Sequence, residues 1–294
     1  MVAKRIFIST GEVSGDLQGS LLVAALLDRA KARGIELEIV ALGGDRMVAA
    51  GASLVGNTTR ISSLGIIEAI GYILPTYRIQ QDAKRYLSIC PPDLTILIDY
   101  IGSNVGIGSF VKKILPNKLV IYYIAPQEWV WALGEKNTNS IAKFTDRLLA
   151  IFPGEATYYT DRGVDAKFVG HPLVDRVAKI PAKAAARKEL GIAEGETAIA
   201  LIPASRRQEL KYLMPFIFQA ARQLQEKIPQ VRFWIPLARK DFQEAIEAAI
   251  IEYNLPATIV SDKADCVLAA ADLAIAKCGT VSLELALLNV PQVV

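Results

Sequence analysis

The sequence predicts an α/β protein built as two doubly wound parallel sheets, and three observations carry that expectation. Short β-rich runs alternate with segments whose apolar residues recur at helical spacing, the rhythm stops once and restarts, and glycine-containing turns follow several of the runs. In order, the first runs are RIFIST at 5–10, LEIVAL at 37–42, LTILID at 94–99, LVIYYI at 119–124 and RLLAIF at 147–152. Each borders a helical pattern, and parallel strands need such crossovers. The rhythm pauses over DRVAKIPAKAAARKELGIAEGE, rich in lysine and alanine, and resumes with TAIALIP, VRFWIP, ATIV and DLAIA. This places an N-terminal domain at residues 1–175, a linker at about 176–186 and a second domain at 187–294. The closing NVPQVV reads as a strand just begun, so the second domain is expected to be truncated.

Composition narrows the function classes. With 294 residues, 52% of them hydrophobic, the chain can bury two cores of ordinary size. A net charge of +3 is too mild to announce nucleic acid, and it suits an anionic substrate or an acidic membrane surface. There is one histidine, His171, and Cys90, Cys266 and Cys278 form no CxxC, so neither a metal centre nor a disulfide framework is expected. A reducing cytoplasm fits this cysteine usage. The N-terminus has no long apolar region or small-residue cleavage site, and no uncharged run reaches spanning length. The expectation is a chain that is soluble or lies on a membrane without crossing it.

Open parallel sheets bind ligands at the carboxyl ends of their strands, where helix N-termini offer free N–H groups. TGEVSGD, residues 10–16, lies at such an end, with Glu12, Ser14 and Asp16 in the turn. Ser14 or Asp16 capping the following helix is the plainer reading, and a ligand site is the alternative. A GxGxxG fingerprint is absent, which disfavours a dinucleotide. LIDYIGSN puts Asp99 at a strand's carboxyl end, where an acid serves as base, ribose ligand or, most commonly, cap. Glu128, Trp129 and Trp131 follow the next strand; tryptophans two apart either stack on a substrate or pack on one strand face.

In the second half, LIPASRRQEL carries Ser205 and Arg206 into a helix start with Glu209, and an arginine there suits a pyrophosphate as well as plain solvation. KCGTVSLELAL sets Gly279 and Thr280 at another such turn, with Glu284 four residues after Thr280, where an acid can accept both hydroxyls of a ribose. Two anion-type turns and that acid together indicate a sugar nucleotide. No D-x-D occurs, so a leaving diphosphate has to be neutralised by Arg206 and helix termini rather than by a divalent ion.

Taken together, GEVSGD (11–16), GGDRMVAAG (43–51), LGIIEAIG (64–71), YYIAPQEWVWA (122–132), FVGHPLVD (168–175), PASRRQE (203–209) and GTVSLELALLNVP (279–291) resemble the lipid-A-disaccharide synthase family, glycosyltransferases of the GT-B fold. The resemblance implies two Rossmann-like domains facing a cleft. It also implies an inverting, metal-independent transfer of a diacylglucosamine from a UDP donor to a diacylglucosamine 1-phosphate. It assigns Ser205, Arg206, Glu209, Gly279, Thr280 and Glu284 to the nucleotide-binding half, and Gly11, Glu12, Ser14, Gly15 and Asp16 to the loop facing the cleft. It matches ISSLGIIEAIGYILP, 61–75, to a region for acyl chains and membrane contact, and so implies a peripheral protein on the cytoplasmic face of the inner membrane; an amphipathic core helix is the competing reading. No nucleic acid and no cofactor are implied.

Two departures stand out. Where the family reads I-D-x-P-D-F-N this chain reads I-D-Y-I-G-S-N, which keeps Asp99 and Asn104 but puts Gly102 at the second acid, the family's usual candidate base. Basic residues expected after the W-A-W pattern are replaced by Ala132, Leu133 and Gly134. The expectation is therefore weak or altered transfer that depends on Asp99, or on Glu12 and Asp16. The alternatives are another GT-B enzyme, such as one like UDP-N-acetylglucosamine 2-epimerase, or a non-catalytic relative that binds sugar nucleotide or lipid.

Overall fold

Along the first strand, Phe7 packs with Leu42, Leu97 and Tyr122, whereas its neighbours Ile6 and Ile8 pack with Ile39, Ala41, Ile96 and Ile98. A side-chain period of two thus divides one sheet between two cores, as a sheet covered by helices on both faces requires. The computed structural model in which this is seen describes residues 3–59, 73–130 and 134–294. It divides into two units, Met1–Pro172 and Leu173–Val294.

The first unit holds seven parallel strands: β1 (Lys4–Ser9), β2 (Leu37–Gly43), β3 (Ser53–Asn57), β4 (Leu94–Ile98), β5 (Leu119–Tyr123), β6 (Arg147–Ala150) and β7 (Ala166–Phe168). Their order is β3-β2-β1-β4-β5-β6-β7. Helices α1 (Val13–Ala32) and α2 (Asp45–Ala49) supply Val23 and Met47 to one core. Helices α3 (Ile73–Ile89), α4 (Ile101–Ile114), α5 (Lys136–Phe144) and α6 (Pro153–Thr160) supply Leu87, Ile107, Phe144 and Tyr159 to the other.

The second unit repeats the plan with five parallel strands, β8 (Thr197–Ile202), β9 (Val231–Pro236), β10 (Ala257–Val260), β11 (Leu273–Ala276) and β12 (Gln292–Val293), in the order β10-β9-β8-β11-β12. Helices α7 (Pro172–Val177), α8 (Lys183–Leu190), α9 (Arg207–Tyr212), α10 (Met214–Lys227), α11 (Gln243–Glu252), α12 (Ala264–Ala270) and α13 (Thr280–Leu287) complete it. Phe218 of α10 and Ile246 of α11 pack on one face of the sheet, Val267 of α12 and Leu285 of α13 on the other.

The units part after Pro172, ahead of the stretch 176–186 read from sequence as a linker. That stretch lacks β character but is rich in alanine, lysine and arginine, which are strong helix formers. Its first two residues end α7 and its last four open α8, where Ala186 is fully buried.

Both sheets reverse their strand order once, between β1 and β4 and between β8 and β11. The crevice outside the carboxyl ends at such a reversal is where open α/β sheets bind ligands. The candidate residues fall at these two points.

Candidate functional site

At the first reversal, β4 ends at Ile98 and the chain turns through Asp99 and Tyr100, both left-handed at φ 51° and φ 34°. Such angles cost a residue with a Cβ on the order of 1–3 kcal/mol. Buried hydrogen bonds hold them. Asn104 is fully buried; its Nδ2 donates to the carbonyls of Ile98 at 2.9 Å and Asp99 at 2.8 Å, and its Oδ1 accepts from Ser9 Oγ at 2.7 Å. The Tyr122 hydroxyl donates to the Asp99 carbonyl at 2.8 Å, and the Asp99 N–H donates to the Ile124 carbonyl at 2.8 Å. Asn104 therefore fixes the turn between β1 and β4, with both ends of its amide already used.

The Asp99 carboxylate accepts the Tyr100 N–H at 2.8 Å. Burial raises its pKa above the ordinary 3.8, that N–H lowers it, and the charge of Glu12 raises it again. Glu12 reaches Asp99 from the β1 side: it occupies the N-cap position of α1 and makes no side-chain cap bond there. Burial, then Glu12, also raises the pKa of Tyr100. Gly11 lies against the Tyr100 ring, which leaves no room for a Cβ, and a Cβ at Gly102 would stand 3.2 Å from Tyr100 Cε1. The ring is thus held between two glycines, and it borders the space beside the missing second acid.

Asp16 and Ser14 do not cap the helix they begin, since both lie inside the first turn of α1. Asp16 is 4% exposed and caps α2 instead, accepting the N–H groups of Gly44 at 2.8 Å and of Arg46 and Met47 at 3.2 Å each. Sequence spacing could not show a cap supplied from another crossover. Gly15 packs against the Thr10 side chain so closely that a Cβ there would collide with its hydroxyl.

Glu155 is a further acid at this edge that sequence reasoning missed. It is 1% exposed and accepts N–H groups from Ala125 at 2.9 Å and Ile151 at 2.8 Å, which ties the ends of β5 and β6 together. Burial raises its pKa, and Asp99 adds to the rise. Its only sequence signal is a place in the first turn after Pro153, where an acid reads as an ordinary helix start. Trp129 packs on Phe152, with ring centroids 5.7 Å apart, which supports the packing reading for that residue. Trp131 lies outside the described residues.

At the second reversal, β8 runs into Pro203, Ala204, Ser205 and Arg206, the last at the N-cap position of α9. Glu209 is buried and shapes this turn: Oε2 accepts the N–H of Ser205 at 2.6 Å and of Arg206 at 3.1 Å. Its other oxygen lies 3.7 Å from Lys277 Nζ, whose side chain is 11% exposed. Lys277 is the first residue after β11, and its ammonium stands 2.7 Å from where Gly279 would carry a Cβ. It bridges the two turns, another participant that sequence reading passed over beside the more legible Gly279 and Thr280. Gly279 caps α13, Thr280 opens that helix, and Glu284 is buried one turn on, paired with Arg176 of α7.

The sequence-derived residues thus gather into two sets. Gly11, Glu12, Ser14, Gly15, Asp16, Asp99 and Asn104 lie at the β1 and β4 ends, and Ser205, Arg206, Glu209, Gly279, Thr280 and Glu284 at the β8 and β11 ends. The first set offers Asp99 on a strained turn, with the charge of Glu12 acting on it. The second offers helix N-termini, the cations Arg206 and Lys277, and two buried acids that are each ion-paired, Glu209 with Lys277 and Glu284 with Arg176.

A family model described as lipid-A-disaccharide synthetase matches residues 6–294. The lipid-A-disaccharide synthase of Gloeothece citriformis (strain PCC 7424) is 56% identical over 290 residues, which cover 99% of this chain and 76% of that protein. That of Synechocystis sp. (strain ATCC 27184 / PCC 6803 / Kazusa) is 53% identical over 292 residues, 99% of this chain and 74% of that protein. Among solved structures, the S. aureus MnaA–UDP co-structure aligns with a TM-score of 0.66 at 13% identity, over 98% of this chain and 78% of that one. UDP-GlcNAc 2-epimerase from Neisseria meningitidis, bound to UDP-GlcNAc, aligns with a TM-score of 0.64 at 12% identity, over 100% of this chain and 82% of that one. Identities this low speak for the fold alone.

Proposed function

The chain belongs to the lipid-A-disaccharide synthase family, and we propose that it is an inverting glycosyltransferase joining an acylated glucosamine from a UDP donor to an acylated glucosamine 1-phosphate. The observation that carries this reading is the pairing, on adjacent strands of the second unit, of the Ser205–Arg206 turn with the Gly279–Thr280 turn above the buried acid Glu284. N–H groups at helix starts and a fixed guanidinium suit a diphosphate, and the acid suits ribose hydroxyls.

In the reaction, the acceptor hydroxyl attacks the anomeric carbon from the face opposite the diphosphate. The bond from that carbon to the diphosphate oxygen breaks, UDP leaves with the electron pair, and a carboxylate takes the hydroxyl proton. Asp99 is the base in this reading, with Glu12 the second acid beside it. Asp16, committed to the α2 amides, shapes the loop. Arg206, Lys277 and the helix N-termini meet the charge that develops on the leaving group. A non-catalytic relative is the second reading, and the observation favouring it is Gly102 in place of the expected acid.

Both substrates carry acyl chains, so the proposal extends to a peripheral position on the cytoplasmic face of the inner membrane. Among the described residues no helix is long and apolar enough to cross a membrane. The segment 61–75, matched to acyl-chain and membrane contact, lies outside the described residues up to 72. Its continuation along α3 exposes Leu74 and Tyr77 beside Arg78 and Arg85, an apolar and cationic pairing that suits an anionic lipid surface.

The test is a product assay with UDP-linked diacylglucosamine and diacylglucosamine 1-phosphate, run with chelator present, alongside UDP calorimetry. Disaccharide and UDP in equal amounts are the expected products. UDP binding without product would establish the non-catalytic reading.

A further inference from the structure

The second unit contains a largely buried ion pair that neither the strand-end turns nor the core explains. Glu284 has a side chain only 8% exposed, and its Oε1 faces Nη1 of Arg176, whose own side chain is 20% exposed. The same guanidinium uses Nη2 to donate to Asp265 Oδ1 at 2.7 Å. Arg176 comes from α7, Glu284 from the second turn of α13 and Asp265 from the first turn of α12, so one side chain ties three helices together behind the β11 turn.

A buried carboxylate needs a countercharge, and a lysine would supply one. A guanidinium does more, because its planar fork fixes the direction of each donor and so fixes the plane of the carboxylate that accepts from it. With Nη1 set against Oε1 of Glu284 and Nη2 anchored on Asp265, the position of the Glu284 carboxylate behind the Gly279–Thr280 turn is tied to Arg176. We propose that Arg176 is a positioning residue for nucleotide recognition: it orients Glu284 so that this acid accepts the ribose hydroxyls, and thereby sets the preference for a ribonucleotide. The proposal rests on the reading of Glu284 as the ribose acceptor.

The experiment compares UDP with 2′-deoxy-UDP by calorimetry on the wild type and on Arg176→Ala, Arg176→Lys and Glu284→Gln, each checked for folding by circular dichroism. A hydrogen bond to a charged acceptor makes a preference for UDP of about 10- to 100-fold the expected wild-type result. Arg176→Ala is expected to bring that ratio down toward one while leaving 2′-deoxy-UDP affinity within about threefold of wild type. Arg176→Lys, which keeps the charge but not the fork, is expected to retain part of it. Should Arg176→Ala prove unfolded, the lysine variant carries the test by itself, since loss of preference with the charge retained isolates the geometry. Equal weakening of both nucleotides in the arginine variants would show a merely structural pair and overturn the proposal. If Glu284→Gln abolishes the preference and the arginine variants keep it, only the positioning role fails. If Glu284→Gln keeps it, the ribose reading fails and the proposal with it.

Discussion

The two strand-order reversals use the same scaffold in opposite ways. At β8 and β11 the backbone is relaxed: Arg206 is extended at φ −130° in its cap position, and carboxylates and cations neutralise one another through Glu209–Lys277 and Glu284–Arg176. At β1 and β4 two consecutive residues are left-handed, and burial raises the pKa of both Asp99 and Glu155, with the charge of Glu12 adding to the rise at Asp99 and that of Asp99 to the rise at Glu155. A relaxed, charge-balanced site suits binding, where affinity is the goal. A strained site with a buried carboxylate suits proton transfer, because it holds a group whose affinity for a proton is raised. On the proposed reading, the difference assigns donor binding to one reversal and proton transfer to the other, two tasks built on one architecture.

The largest effect expected from breaking this contrast lies on the strained side. Asp99→Asn keeps the shape and the Tyr100 hydrogen bond but removes the base, so turnover is expected to fall by roughly 100- to 10,000-fold with UDP affinity unchanged. Single-turnover rates beside UDP calorimetry check it. A variant that turns over like wild type would move the base to Glu12.

The relaxed side should respond in affinity. Arg206→Ala removes a charge-assisted contact to the diphosphate and is expected to weaken UDP by about 2 kcal/mol. Its effect on uridine, which lacks the diphosphate, should be small. Equal losses for UDP and uridine would place Arg206 away from the phosphates.

These two sites were not equally legible in the sequence. Strands such as RIFIST and TAIALIP announce themselves because β-branched and apolar residues run continuously where both faces are buried. The edge strands β3 and β7 do not: SLVGN carries a glycine and an asparagine, AKF is three residues long, and each is defined mainly by the neighbour it pairs with. The turn after β8 is likewise local, since Ser205, Arg206 and Glu209 meet within five residues. The role of Asp16 is not, because its three partners lie 28 to 31 residues away on another crossover. Arg176 was missed for the same reason, and so was the Ala125 partner of Glu155; Ile151, a further partner, is local.

A smaller effect sharpens the point for Asp16. Asp16→Ala leaves three N–H groups of the α2 start without their acceptor, and losing a helix cap costs about 1–2 kcal/mol. Urea denaturation should show that loss, and activity should be largely retained below the unfolding midpoint. Stability equal to wild type with turnover abolished would return Asp16 to the chemistry.

The finest test concerns pH. Asp99 has a pKa raised above 3.8, first by burial and then by Glu12. For stability the sign is fixed: a carboxyl that binds its proton more tightly when folded contributes stability below its unfolded pKa, and that contribution is lost as pH rises through the folded value. For catalysis the sign is opposite, because only the ionised form accepts the acceptor's proton. The acid limb of kcat/KM should therefore lie above the ordinary carboxylate value, in the range where Asp99 has already begun to destabilise the folded chain. Glu12→Gln removes the neighbouring charge that adds to the rise and leaves burial in place, so the limb should move down without vanishing. A limb that stays fixed in Glu12→Gln would mean that the two acids do not face each other, and the contrast between the two reversals would then rest on backbone strain alone.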